Sequence, residues 1–187
     1  MKNYTDKLLE LVTRRETILE KYSRLCAEAD AKREAKKGPF VERMQESLKS
    51  LVPFAETHGV KLGIENRQAL EELPVDSDFQ FLFRELASPA FGYWHDTGHG
   101  QIKENLGFAH HAMQVESLRD RLLGFHIHDV QFPGRDHVWP GGGMIDFAAL
   151  KPFVRPEHTK VFELSPSLKV EDVRRGVEHI KRVWGEE

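Results

Sequence analysis

The chain is short of cysteine, of net charge and of long apolar runs, and each shortage excludes something. Its 187 residues include one cysteine, Cys26, so no internal disulfide framework exists and a reducing compartment fits. The 27 basic and 30 acidic residues leave a formal net charge of -3, which offers no general attraction to nucleic acid or to an anionic membrane. No stretch approaches the roughly 18 apolar residues of a membrane helix, and Met1-Lys2-Asn3-Tyr4-Thr5-Asp6 lacks the apolar core of a secretory signal. The expectation is a soluble, cytoplasmic protein with no membrane partner. There is no low-complexity segment and no repeat, and the length suits a single domain, 1–187, with a real core.

What is present begins with helices. Leu8, Val12, Arg15, Leu19, Tyr22 and Cys26 recur three or four apart, which predicts an amphipathic helix over about 1–37 within an N-terminal helical segment, 1–38. Gly38-Pro39 reads as punctuation. A second helix, about 40–58, carries Val41, Met44, Leu48, Leu51, Val52 and Ala55 on one face and ends at Gly59.

From there apolar runs alternate with helical patterns. Strands are expected at 60–67, 91–96, near Phe125 and at 160–164, with helices near 77–86, 101–121, 147–154 and 170–184. Such alternation argues for a parallel sheet with right-handed crossovers. The fold class expected is α/β.

Each strand ends in a metal-ligating side chain: Glu65, Asp96, His126 and Glu163. Three carboxylates and an imidazole form a hard donor set. It suits one divalent metal ion, Mn²⁺ or Mg²⁺ before Co²⁺ or Zn²⁺, and no thiolate takes part. Burying three acids without a cation would cost several kcal/mol each, so four such ends at one sheet edge call for a metal.

The run Gly63-Ile64-Glu65-Asn66-Arg67, then His95-Asp96-Thr97-Gly98-His99, His126-Ile127-His128-Asp129, Asp136-His137, Pro140 to Phe147 and Phe162-Glu163 resembles the C-terminal half of the xylose isomerase-like TIM barrels. The resemblance covers about 40–187. It implies a partial (β/α) barrel of about four parallel strands, a half-barrel over 39–187, with Glu65, Asp96, His126 and Glu163 as metal ligands. It further implies that Glu65 and Glu163 are the catalytic acid and base pair of a sugar isomerase or epimerase working through an enediolate. His99 would contact substrate oxygens, with Arg135-Asp136-His137 closing over them. Arg67 and Trp94 join His99, Asp136 and His137 as substrate-binding candidates.

The first half of such a barrel is not found in residues 1–59. Either the chain is part of a longer barrel, or two copies meet, and a homodimer or larger homo-oligomer is expected because an open four-stranded sheet leaves edges and an apolar face uncovered. The alternatives are an endonuclease-IV-like phosphodiesterase, disfavoured by the acidic charge and by Asp136 and His137 being adjacent, and a non-catalytic metal-binding half-barrel.

Other residues carry two readings. His95 is expected to face away from the site as a wall residue, and His110-His111 to be solvated on a surface helix. His128 reaching the pocket beside His126 would put Asp129 on the far face. Trp94, Trp139 and Phe132 form either the apolar side of a sugar site or core. Gly141-Gly142-Gly143 is read as a tight turn rather than a phosphate cradle, because Asp146 would repel an anion.

Overall fold

Asn3 starts the first helix, its side-chain oxygen accepting the Asp6 N–H at 2.7 Å. The computed structural model describes residues 3–185; residues 1 and 2, where the expected N-terminal helix begins, and 186 and 187 lie outside them. The chain divides into two compact units, Met1–Tyr93 and Trp94–Glu187.

In the first unit α1 (Tyr4–Thr13) buries Leu8, Leu11 and Val12. It stops where Arg15 turns into the left-handed region at φ 58°. The next helix, α2 (Glu20–Thr57), then runs unbroken for 38 residues with Pro39 and Pro53 inside it. The expected break at Gly38-Pro39 is therefore absent, and the real break falls at 14–19. A proline removes one backbone hydrogen bond and strains one turn, whereas the strong helix formers on both sides continue the helix past it. The buried stripe also shifts, to Leu25 and Ala29 rather than Tyr22 and Cys26. Gly59, at φ 64°, follows the end of α2 as expected.

A short strand, β1 (Leu62–Glu65), and α3 (Asp78–Glu85) complete this unit up to the first half of β2 (Phe91–Asp96). Phe79 meets Tyr93 edge-on at 5.1 Å, and Phe83 packs on Phe91 at 5.2 Å. Glu71 ties the loop after β1 to the start of α1 by accepting from Thr5 Oγ1 at 2.6 Å and from the Thr5 N–H at 3.0 Å.

The second unit contains α4 (Thr97–Asn105), α5 (His111–Leu118), β3 (Leu122–Ile127), the hairpin β4 (Asp129–Gln131) and β5 (Arg135–Val138), the short α6 (Phe147–Leu150), β6 (Thr159–Phe162) and α7 (Val170–Trp184). The strand order β1-β2-β3-β6 makes a four-stranded parallel sheet flanked by helices, a partial TIM-barrel-like fold as expected. Phe125 and Ile127 are fully buried, and the Phe125 ring packs on Trp184 at 5.3 Å. Trp184 donates its indole N–H to the Phe147 carbonyl at 2.8 Å, which fastens α7 to α6.

Two elements differ from expectation. Helix α4 starts directly after β2 rather than near residue 101, because Asp96 caps it. The stretch after His128, where no strand is expected, contains the antiparallel β4–β5 pair, in register Asp129 with Val138. Its signal was legible as two short runs around Pro133-Gly134.

Candidate metal centre

Asp96 ends β2 and caps α4 with the same carboxylate. Its Oδ1 accepts the His99 N–H at 2.7 Å and lies 3.0 Å from His128 Nε2. The side chain is fully buried. Burial opposes its ionisation, yet the hydrogen bond from His128, the electrostatic attraction of His128 and His99, and the His99 N–H together hold its carboxyl well below the usual carboxylate range. Asp96 is thus an anion kept in place by donors.

His126 and Glu163 come together through strand register. The parallel pair aligns His126 with Val161, and the Glu163 N–H donates to the Ile127 carbonyl at 3.2 Å, so alternation brings Glu163 to the face of His126. His126 Nδ1 lies 3.1 Å from Glu163 Oε2 and 3.9 Å from Asp96 Oδ2. Around an ion with oxygen ligands at roughly 2.1 Å, adjacent donors sit roughly 3 Å apart and opposite ones roughly 4.2 Å. These separations fall within that span.

Glu65 is the last residue of β1, half-buried, with its Oε2 3.8 Å from Arg67 Nη1. Arg67 also bonds Glu72 at 2.9 Å. Glu65 and Arg67 line a concavity of about 510 Å³ whose apolar wall includes Met44, Leu48 and Phe91. Within the second unit, Asp96, His126 and Glu163 each offer a ligand atom within 4.8 Å of the others. Three of the residues picked out in the sequence come together within this unit, and their donor chemistry fits a hard divalent cation.

A sequence model of the xylose isomerase-like TIM barrel matches residues 16–182. The chain belongs to that family. Among solved structures, the xylose isomerase-like fold seen here is similar to a D-tagatose 3-epimerase-like protein, with TM-score 0.60 and 21% identity over 75% of this chain and 53% of that one. It is also similar to 3-keto-D-glucoside 4-epimerase from E. coli, with TM-score 0.59 and 20% identity over 74% and 52%. D-psicose 3-epimerase in the presence of D-fructose gives TM-score 0.59 and 16% identity over 75% and 55%. At such identities the likeness is one of fold. The chain spans about half the length of these structures. No curated protein sequence matches it.

The remaining candidates from the sequence are placed as follows. His99, in the first turn of α4, holds Nδ1 3.8 Å from Asp96 Oδ1. The Trp94 ring stands edge-on to His126 at 5.2 Å, and its indole N–H is buried without a hydrogen-bond partner. His137, on β5, sits at φ 53° with Nε2 3.6 Å from Glu163 Oε1 and Nδ1 3.1 Å from Asp136 Oδ1. So His99, Trp94, Asp136 and His137 all surround the cluster in the second unit, and Arg67 lies beside Glu65 in the first.

Three readings gain detail or change. His95 is buried away from solvent as a wall residue, but its partner is His111, which is buried too rather than solvated. His110 alone is exposed. His128 does reach the Asp96 side, and Asp129 serves the glycine loop: its carboxylate accepts from the N–H groups of Gly141 at 2.9 Å, Gly143 at 3.0 Å and Ile145 at 3.0 Å. The anion in that cradle is the protein's own. A Cβ on Gly143 would lie 2.4 Å from Asp129 Oδ1, so the approach requires glycine.

Proposed function

We propose that this protein is a divalent-metal-dependent isomerase or epimerase of a small sugar or related hydroxy-carbonyl compound. The observation that carries the reading is the gathering of Asp96, His126 and Glu163 at the strand ends of the second unit; Glu65 is proposed as the fourth donor. A bound Mn²⁺ or Mg²⁺ would polarise a carbonyl and its neighbouring hydroxyl, lowering the cost of removing the proton between them.

The chain's own residues divide the remaining work. Glu163, nearly half exposed and facing His137 as well as His126, takes a proton from the substrate carbon. Glu65, paired to Arg67, returns one, and the enediolate forms between the two transfers. His99, Asp136 and His137 bind hydroxyl groups, and Trp94 supplies the non-polar face of a sugar site. The similar structures, two sugar epimerases and one epimerase-like protein, support the substrate class. We also propose assembly into a homodimer or larger homo-oligomer.

Among the described residues only one group of three or more His, Cys, Asp or Glu gathers in metal range. That favours one ion per chain over a multi-metal phosphodiesterase. The test is solvent deuterium exchange into a panel of ketoses with Mn²⁺ present, followed by mass spectrometry. Metal-dependent exchange lost in Glu163→Gln supports the reading; exchange that persists in Glu163→Gln, or none with any ketose, contradicts it.

A further inference from the structure

We infer that His128 is the positioning residue of this centre, aiming the Asp96 carboxylate with one ring nitrogen and pinning His137 opposite Glu163 with the other. The inference rests on the metal-centre reading above and adds a residue to it.

His128 has no solvent exposure and lies one residue beyond β3. Its two ring nitrogens have unlike neighbours. Nδ1 takes the His137 backbone N–H at 3.0 Å, so it must present a lone pair, and the proton of the neutral ring then sits on Nε2. Nε2 faces Asp96, 3.0 Å from Oδ1 and 3.2 Å from Oδ2. One tautomer thus satisfies both neighbours, and it makes Nε2 a donor to the carboxylate. With Oδ1 also held by the His99 N–H, the rotation of Asp96 is determined, and Oδ2 is the oxygen 3.9 Å from His126.

The same ring organises His137. The two imidazoles stack at 4.3 Å with planes 5° apart. The His137 N–H is taken by His128, and its carbonyl accepts from the Ser165 N–H at 3.0 Å. These contacts hold a non-glycine residue in the left-handed region, with its Nε2 toward Glu163.

The ring itself is seated by its surroundings. Thr97 Oγ1 accepts the His128 N–H at 3.1 Å and donates to the His128 carbonyl at 2.7 Å. Gly98 leaves the space the ring fills, since a Cβ there would lie 1.9 Å from His128 Cε1. The run Asp96-Thr97-Gly98-His99 is therefore one device: a ligand, a clamp on the β3 exit, room for the ring and a second donor to the ligand.

Two substitutions separate the two nitrogens. His128→Asn keeps a polar group near the Nδ1 position and loses the donor to Asp96; His128→Gln reaches the Nε2 position and keeps it. Titration calorimetry with Mn²⁺ is expected to show binding weakened roughly 10–100-fold in His128→Asn, with most of the loss restored in His128→Gln. Equal Mn²⁺ affinity in wild type and His128→Asn, or no advantage of Gln over Asn, overturns the inference. Nitrogen NMR of the wild-type imidazoles at mildly alkaline pH gives a readout that needs neither variant to fold: protonated Nε2 with bare Nδ1 is expected at His128, and the reverse overturns the tie to Asp96. If the wild type binds no Mn²⁺, the metal-centre reading falls while the tautomer still decides the tie.

Discussion

The Nε2 atoms of His95 and His111 stand 2.8 Å apart, and both rings are buried. One nitrogen donates and the other accepts, so the pair is built for neutral rings.

That pair makes stability depend on pH. Burial, with Lys103 and His110 nearby and Asp96 opposing them, lowers His111 from the ordinary value 6.5 to about 4; the Glu104 carboxylate faces the His111 N–H at 3.4 Å. Burial and His111 push His95 the same way. A depressed histidine means the unfolded chain binds its proton first as pH falls. The contribution is whole above the unfolded value and lost down to the folded one, at about 1.4 kcal/mol per pH unit. Urea denaturation between pH 7 and 5 should show this slope in the wild type and a flatter one in His111→Gln. An unchanged slope would refute the neutral pair.

Gly98→Ala should be costly even though the residue opens a helix where alanine is usually preferred. The new methyl would occupy the His128 ring, and overpacking of that kind destabilises by about 1–3 kcal/mol. Thermal denaturation is expected to show the drop. An alanine variant as stable as the wild type would mean the ring has room to move.

Asp129→Asn tests the loop. The carboxylate accepts from three loop N–H groups and from the Val130 N–H at 2.8 Å. Hydrogen bonds to a charged group contribute about 1.5–3 kcal/mol each when intact, and an amide cannot replace both oxygens as acceptors. Faster amide exchange at Gly141, Gly143 and Ile145 is the expected outcome. Exchange rates equal to the wild type would show that the loop holds itself.

Assembly is open to a direct reading. The first unit carries Phe40, Leu51 and Phe54 about half exposed on α2, apolar area of the kind that association covers. Light scattering after size exclusion should give a mass of at least two chains. A stable, folded monomer at low concentration would end the oligomer proposal.

How much was legible beforehand depends on how local the cause is. The strand ends Asp96 and His126 were readable because alternation and a following turn announce a strand running into a site, and the structure starts or ends β2 and β3 within a residue or two of those positions. Gly59 announced a helix end for the same local reason. Long-range partners had no such signal. Nothing near His111 in the chain says that His95 fills the space beside it, and Asp129 meets Gly141 only because the β4–β5 hairpin turns back. Gly38-Pro39 misled because a local breaker was outweighed by helix on either side.

The account depends most on whether one cation is held at the strand ends. Anomalous diffraction from crystals grown with Mn²⁺ tests this directly. A single strong peak within bonding distance of Glu65, Asp96, His126 and Glu163 is the predicted result; a structure with those four side chains in place and manganese bound elsewhere, or nowhere, would contradict it.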